Sequence, residues 1–229
     1  AYDKIFSMTK KKYLIVEEFI KGKEFGAQAF VLNGKIQFII PHDDQLFYGD
    51  TGVPIGHSAP ISLSKKVLFD MEKQIKRSIN ALKLNNCALN FDFILKNDLC
   101  YLLEVGARAG ATCLPELVSI LYNFDYYKYM IEVSLNKKPT LIIPRNLQPN
   151  ASSLLFSNLS GTIKKINNKN LKSDEDIIEL NMDYNIGEKV NKFNVGPDRI
   201  GHVIVKGSSL NNAKTKLKKT LEKIKITVK

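Results

Sequence analysis

Short apolar runs with a strand-like pattern dominate the first hundred residues and predict an antiparallel sheet. The dipeptide Asn33-Gly34 lies between two such runs and favours a tight hairpin, because both residues tolerate positive φ. A second hairpin is predicted around residues 96–98, where polar residues again separate two apolar runs. In all, we predict strands over residues 13–20, 25–32, 35–40, 88–95 and 99–105.

Between the hairpins, the glycine- and proline-rich residues 48–60 predict a loop, whose length is typical of a functional segment. Apolar residues spaced three and four apart then predict a helix over 64–82. Further along, helices are predicted near 115–122 and 125–135, strands at 153–156, 162–166, 177–182 and 202–205, and a helix in the lysine-rich C-terminal segment.

This order of elements indicates an α+β fold built on an antiparallel sheet flanked by helices. The periodicity breaks around residues 139–149, which contain three prolines. We therefore predict one unit over residues 13–145 and a small C-terminal unit of helix and strands over 146–229.

Composition restricts the class of protein. Apolar residues make up 44 % of the 229 residues and charged residues 25 %, as in a soluble globular chain, which excludes wholesale disorder. No stretch approaches the roughly 18 consecutive apolar residues of a membrane helix, so we expect no membrane partner. The three cysteines form no CxxC pair, and we interpret them as reduced core residues of a cytoplasmic protein.

The net charge of +11 would permit binding of nucleic acid, anionic membranes or phosphorylated small molecules. Eight lysines and one acid lie between Lys206 and Lys229, where Ala213 and Leu217 share one helical face with other apolar residues. We therefore interpret the lysines as the solvated side of a helix. A nucleic-acid partner is not expected, since arginines and aromatics do not alternate there.

The candidate chemistry lies in the second hairpin, where Asp92 and Glu104 occupy adjacent strands. A turn centred on Asp98 places them opposite each other, and one centred on Asn97 makes them diagonal neighbours. A two-residue turn would instead send them to opposite faces, as surface residues. If they converge, two carboxylates so close favour a divalent cation between them, and oxygen ligands of this kind suit Mg²⁺.

Arg108 follows four residues after Glu104, in the turn Gly106-Ala107-Arg108-Ala109-Gly110. Small neighbours would allow this guanidinium to bind a phosphate or carboxylate in a bidentate manner. A plain surface arginine is the alternative reading of the same pattern.

Together these segments resemble the ATP-grasp superfamily of carboxylate–amine ligases. The segment Val16-Glu17-Glu18-Phe19-Ile20-Lys21-Gly22-Lys23-Glu24 is similar to the linker strand of that family, which binds adenine and ribose. The resemblance implies that Glu24 holds the ribose hydroxyls of ATP, and that the other nucleotide contacts come from Glu17, Glu18, Phe19, Ile20 and Leu102.

The second match covers Asn90-Phe91-Asp92-Phe93 and Tyr101-Leu102-Leu103-Glu104-Val105, which look like the two metal-carrying strands of the family. The resemblance assigns Mg²⁺ to Asp92 and Glu104, and it makes Arg108 the residue that stabilises the transferring phosphoryl group. His57, in Gly56-His57-Ser58-Ala59-Pro60, falls where the L-amino-acid ligases carry a substrate-binding loop. A turn histidine with a structural role is the competing interpretation.

The implied protein is the C-terminal portion of an ATP-dependent carboxylate–amine ligase that works through an acyl phosphate on small carboxylate and amine substrates. Residues 1–12 would end a truncated N-terminal subdomain, so a missing N-terminal part is an expected partner and the chain alone is expected to be inactive. Gly106 replaces an asparagine metal ligand common in the superfamily. Two alternatives stay open: a non-catalytic basic binding module, and an enzyme of the carbamoyl-phosphate-synthase or purine-pathway type.

Overall fold

The computed structural model of the chain describes residues 2–47, 52–168, 171 and 174–229. None of the helices in these ranges is long and apolar enough to cross a lipid bilayer. The helices are α1 (Tyr2–Met8), α2 (Lys65–Ala81), α3 (Leu114–Tyr122), α4 (Tyr126–Ser134) and α5 (Leu210–Lys223). The strands are β1 (Lys23–Leu32), β2 (Lys35–Leu46), β3 (Pro54–Ala59), β4 (Cys87–Lys96), β5 (Leu99–Gly106), β6 (Asn150–Leu155), β7 (Gly161–Asn167), β8 (Ile177–Met182), β9 (Lys189–Val190), β10 (Gly201–Lys206) and β11 (Lys225–Val228).

Eight strands form one large sheet in the order β5-β4-β1-β2-β3-β6-β10-β8, with every neighbouring pair antiparallel. A smaller sheet contains β11, β7 and β9. The predicted α+β class and its antiparallel sheet are confirmed. Both predicted hairpins form, the first through Asn33 and Gly34, which adopt positive φ of 51° and 73°.

The two faces of β1 differ in what covers them. Phe25, Ala27 and Ala29 point to one face, where they pack with Met71 and Ile75 of α2 in a closed apolar core. On the opposite face, α3 and α4 cover Phe30 and other apolar residues with an aromatic cluster that includes Tyr126 and Tyr129. The aromatic cluster does not extend to the beginning of β1 on that side, where polar residues take its place and Gln28 is itself buried. We call this polar part, formed by the even-numbered residues Glu24, Gly26 and Gln28 and their cross-strand neighbours, the open face.

Helix α5 packs on β6 and β10 through Ala213 and Leu217, as the apolar pattern predicts, with its lysines outside. Two of these lysines form ion pairs, Lys214 with Asp43 and Lys216 with Asp176. Strands on both sides of residue 146 belong to the same large sheet, since β3 pairs directly with β6. The division into units at 145/146 stays a prediction.

Three predictions about elements are wrong. Residues 13–20 form no strand, because no neighbouring strand within the described chain pairs with them and most of their apolar side chains are exposed. Part of the predicted loop is the strand β3, which pairs with β2 and β6 despite its glycine and proline; residues 48–51 of that loop lie outside the described ranges. The C-terminal helix ends at Lys223, and β11 follows it.

Candidate active site

A bulge in β5 brings Asp92 and Glu104 together. The hairpin turn has two residues, Asn97 and Asp98, both at positive φ, and Phe93 pairs with Leu102. Continued without interruption, this register would place Leu103 opposite Asp92. The register shifts by one residue between Asp92 and Phe93, so that Asp92 lies directly opposite Glu104. The two carboxylates therefore share the open face, although the turn is the one that predicted opposite faces.

Four acidic residues of the open face lie close enough for their charges to repel. Burial raises the pKa of Asp92, and the charges of Asp44 and Glu104 raise it further, against an opposing hydrogen bond from Asn90 and the nearby His42. Burial also raises the pKa of Glu24, with further contributions from Asp44 and Asp92. No lysine or arginine compensates these groups among the described contacts. An arrangement of hard oxygen donors without a counter-charge fits a divalent cation such as Mg²⁺.

Gly26 makes room for this cluster. It lies opposite His42 on one side and Asp92 on the other. A Cβ at this position would collide with the His42 imidazole and come within 3.1 Å of the Phe91 carbonyl oxygen. The absence of a side chain on β1 therefore allows the His42 ring to lie across the strand, towards Asp92.

A chain of buried hydrogen bonds holds Asp92. The Asn90 Nδ2 donates to Asp92 Oδ1 at 3.0 Å, and the Asn90 Oδ1 accepts from Gln28 Nε2. The same Gln28 nitrogen lies 3.4 Å from His42 Nε2, and Gln28 Oε1 accepts from the Gly110 N–H at 2.9 Å. Gln28 is fully buried and joins Asp92, through Asn90, to His42 and to the turn that carries Arg108. A Cβ on Gly110 would collide with this network.

His42 and His57 share the carboxylate of Asp44. Their Nδ1 atoms lie 3.1 and 2.7 Å from Asp44 Oδ1. Burial opposes ionisation of Asp44, but the hydrogen bonds and charges of the two histidines hold the pKa of Asp44 well below its usual range. These three residues also offer ligand atoms within 4.8 Å of one another, the spacing of a metal site. The Nδ1 atoms of both histidines and Asp44 Oδ1 already form hydrogen bonds with each other. An ion bound to these atoms would have to displace the protons on the two Nδ1 atoms.

Arg108 lies on the surface beside the carboxylates. Its Nη1 donates to the Ala109 carbonyl oxygen at 2.9 Å. Its Cγ lies 3.5 Å from the position that a Cβ atom on Gly106 would occupy. Gly106 pairs with Asn90. This pair lies two positions along the ladder from the pair of Asp92 and Glu104, on the same face of the sheet. The guanidinium therefore folds over Gly106, at the position where the resemblance leads one to expect a metal-ligating asparagine.

The proposed nucleotide contacts are separated in the structure. Glu24 belongs to the open face, whereas Glu17, Glu18 and Phe19 are exposed in the extended segment before β1. Leu102 packs against the α2 core, because it pairs with Phe93 and points away from the open face. The adenine and ribose contacts therefore stay predictions.

Sequence reasoning missed Gln28, His42 and Asp44. His42 and Asp44 occupy alternate positions of β2 next to Gly26 and His57, and all these residues face the same side. The one signal in the sequence was Gln28, a polar residue in an otherwise apolar strand. A buried amide in such a strand needs partners and indicates a polar network on that face.

A cavity of about 980 Å³ opens where β1 begins beside the end of β2. Glu24, Asp44 and His57 line it, together with Lys214 and Lys218 of α5. His57 is buried, and its Nε2 forms no hydrogen bond within the part of the chain that the structure describes. This nitrogen is the atom that His57 can offer to a molecule in the cavity.

The C-terminal part of the chain is similar to a known domain family. Residues 153–229 match the model of the L-amino acid ligase C-terminal domain 2. The phosphoribosylamine–glycine ligase of Lactococcus lactis is 30 % identical over 152 residues, which cover 60 % of this chain and 35 % of that protein.

Solved structures extend the match to the whole chain. The phosphoribosylglycinamide synthetase from Anaerococcus prevotii is 37 % identical, with a TM-score of 0.87 over 100 % of this chain and 59 % of that one. The L-amino acid ligase from Bacillus licheniformis, at 16 % identity, has the same fold, with a TM-score of 0.78 over 92 % of this chain and 53 % of that one. The resemblance to the ATP-grasp superfamily is confirmed, and the chain spans between 35 % and 59 % of the length of these ligases.

Proposed function

We propose that this chain supplies the metal- and phosphate-binding face of an ATP-dependent ligase that joins a carboxylate to an amine. The observation that carries the proposal is the direct pairing of Asp92 with Glu104 on the open face, where no lysine or arginine of the described residues forms an ion pair with them. The similarity to ligases over the full chain supports the reaction class.

Asp92 and Glu104 would hold Mg²⁺, which supplies positive charge against the β- and γ-phosphates when bound. The chain itself fixes the geometry of these ligands. The hydrogen bonds from Gln28 through Asn90 orient Asp92 Oδ1, so the carboxylate does not have to be ordered when ATP arrives.

Arg108 would bind the phosphoryl group as it moves from ATP to the substrate carboxylate. Gly110, two residues later, donates its N–H to Gln28, which ties the turn to the same network as Asp92. The guanidinium lies on the surface and is free to extend, since its described contact is with the neighbouring Ala109 carbonyl. The adenine and ribose would lie along the exposed segment before β1 and against Glu24.

The reaction we propose has two steps. The substrate carboxylate attacks the γ-phosphorus of ATP and ADP leaves, which gives an acyl phosphate. The amine nitrogen then attacks the acyl carbon, the C–O bond to phosphate breaks, and inorganic phosphate leaves. Neither step needs a side-chain nucleophile, and Cys100 and Cys113 are buried in apolar surroundings where burial raises the pKa of both thiols.

An amino acid is the carboxylate substrate that we propose. Glycine appears in the name of the Lactococcus relative and L-amino acids in the family matched by residues 153–229. The higher identity to the two phosphoribosyl-type ligases favours a phosphoribosylamine as the amine, and the family match favours a second amino acid. Offering each amine separately with glycine, ATP and Mg²⁺ distinguishes these two options by which product forms.

The test is Glu104→Gln in the complete gene product. We expect ADP release to fall by about 100-fold or more, since even partners of metal ligands contribute about 10–100-fold. Glu222→Gln, at an exposed position on α5, is the matched control and should keep wild-type turnover. Equal turnover in both variants would contradict the metal role of Glu104. Binding of nucleic acid that is salt-sensitive and indifferent to Glu104→Gln, without any ADP release, would favour the basic binding module instead.

A further inference from the structure

We propose that His57, oriented by Asp44, is the general base that takes a proton from the attacking amine. The inference deepens the proposed function and rests on it for the identity of the reaction. The hydrogen-bond geometry of the two residues stands independently of that function.

The first step of the inference concerns the tautomer. The Nδ1 of His57 lies 2.7 Å from Asp44 Oδ1, and an ionised carboxylate only accepts hydrogen bonds. The proton of neutral His57 therefore sits on Nδ1. The Nε2 is left with a lone pair that has no hydrogen-bond partner among the described residues, and His57 is one of the residues that line the cavity. A base needs an unprotonated nitrogen that is directed at solvent or substrate.

The second step concerns how firmly the ring is held. His57 is only 5 % exposed, and its Nδ1 also lies 3.3 Å from the Asp43 carbonyl oxygen. Asp44 is itself fixed by His42, whose Nε2 contacts the buried Gln28. A carboxylate on Nδ1 holds the ring orientation and stabilises the imidazolium that forms when Nε2 takes a proton.

The third step concerns the chemistry. An amino-acid amine is mostly an ammonium ion at neutral pH and cannot attack the acyl phosphate until it loses a proton. His57 Nε2 would accept that proton, and the amine lone pair would form the C–N bond. As the C–O bond to phosphate breaks, the second N–H proton would pass to the departing phosphate. The imidazolium later releases the proton to water. Nothing else is consumed, so the step balances without a further reactant.

Other charged groups also lie around this histidine. The closest is Asp44, in direct contact. The groups on the surrounding elements are His42, Asp43 and Asp44 on β2, Lys23 and Glu24 at the start of β1, Glu116 on α3, and Lys214 and Lys218 on α5.

The dyad can be tested on the 229-residue chain by nitrogen-15 NMR of its imidazoles. The chain has three histidines. At a pH where the rings are neutral, we expect His42 and His57 to carry the proton on Nδ1, and His202 to carry it on Nε2, which lies 3.0 Å from Glu179. Asp44→Asn should weaken the preference of neutral His57 for the tautomer with its proton on Nδ1. Glu179→Gln should leave that preference unchanged. An Nε2–H form of His57 in the wild-type chain would overturn the proposal, whatever the chain catalyses.

Catalysis is tested in the complete gene product with two nucleophiles. Hydroxylamine is a weak base that is already neutral near physiological pH, so it traps the acyl phosphate without a general base. An amino-acid amine or ammonium needs the base. In Asp44→Asn and His57→Gln we expect the ratio of amide to hydroxamate formation to fall by about 100-fold, the usual contribution of a general base, and to recover as the pH is raised.

The control is Glu179→Gln, which removes the partner of the remote His202 and should leave this ratio unchanged. Circular dichroism identifies a variant that does not fold. If either Asp44→Asn or His57→Gln fails to fold, the amide-to-hydroxamate ratio of the other variant decides whether the dyad acts as a base. Equal losses with both nucleophiles in a folded variant would overturn the base role and make the dyad structural. A wild-type enzyme that forms neither hydroxamate nor ADP would refute the proposed function, while the NMR result would still decide the geometry of the dyad.

Discussion

The two halves of the open face differ in whether their carboxylate charges are compensated by neighbouring residues. In the carboxylate half, Asp92 and Glu104 lie opposite each other with Glu24 nearby, and their charges repel. In the histidine half, Asp44 receives two N–H donors and stays ionised at low cost. The carboxylate half has no lysine or arginine partner among the described contacts, whereas the Asp44 carboxylate is neutralised by histidine donors of the chain itself. The first half is therefore the one that we propose for a cation, and in the second the carboxylate fixes the two imidazoles.

This difference predicts opposite effects on stability when a carboxylate is removed. Asp44→Ala leaves two buried imidazoles without their acceptor, and we expect the free energy of unfolding of the 229-residue chain to fall by about 3 kcal/mol. Glu104→Ala removes a repelling, exposed charge and should change it by less than about 0.5 kcal/mol. Urea unfolding measures both. Equal effects in the two variants would remove the distinction between the halves.

The junction between the halves is Gly26, which lies between His42 and Asp92. Gly26→Ala places a methyl group on the His42 ring, so the ring has to move off β1 and break its contacts with Gln28 and Asp44. We expect a loss of about 1–3 kcal/mol in unfolding free energy, as in overpacked cores.

The matched control is Gly196→Ala, where an added methyl group meets nothing within 4 Å. The His42 signal in the NMR spectrum should change in Gly26→Ala and not in the control. An unchanged His42 signal together with wild-type stability would mean that the halves are independent.

The sequence predicted those elements that local chemistry specifies. The Asn33-Gly34 hairpin and the helix α2 formed as expected, because turn residues and apolar spacing act over a few positions. The strand predicted at residues 13–20 rested on composition alone, and a strand also needs a neighbour to pair with. The strand β3 was missed for the converse reason: its partners β2 and β6 stabilise a segment whose own composition favours a loop.

The site was predictable in part for the same reason. The sequence left three arrangements of Asp92 and Glu104 open, since a bulge at Leu103 cannot be read from the turn residues. The contacts of His42 and Asp44 depend on pairings across β1, β2 and β3, which join residues far apart in the chain. His57 was identified through a family resemblance, but its partner Asp44 required the register of the sheet.

The smallest predicted effect concerns Asp92 and has a sign that depends on pH. Burial and the neighbouring carboxylates raise its pKa in the folded chain, so the folded state holds this proton more tightly than the unfolded state does. Below the unfolded pKa of about 4 the residue is neutral in both states and costs nothing. The cost of its charge develops as the pH rises through that value, and it is complete above the folded pKa. We therefore expect Asp92→Asn to stabilise the metal-free chain slightly at neutral pH and not in acid, by urea unfolding across that range.

Magnesium separates this interpretation from a general effect of the substitution. Millimolar Mg²⁺ should stabilise the wild-type chain at neutral pH and reduce the advantage of Asp92→Asn, because the ion neutralises the repulsion that the substitution removes. Asp70→Asn serves as a control, since Asp70 lies on α2 and accepts a backbone N–H from Cys100, away from the open face. A gain in Asp92→Asn that persists at acid pH, or that Mg²⁺ leaves unchanged, would show that repulsion between the carboxylates is not its cause. The carboxylate half would then be as self-sufficient as the histidine half, and the case for a cation between Asp92 and Glu104 would lose its electrostatic basis.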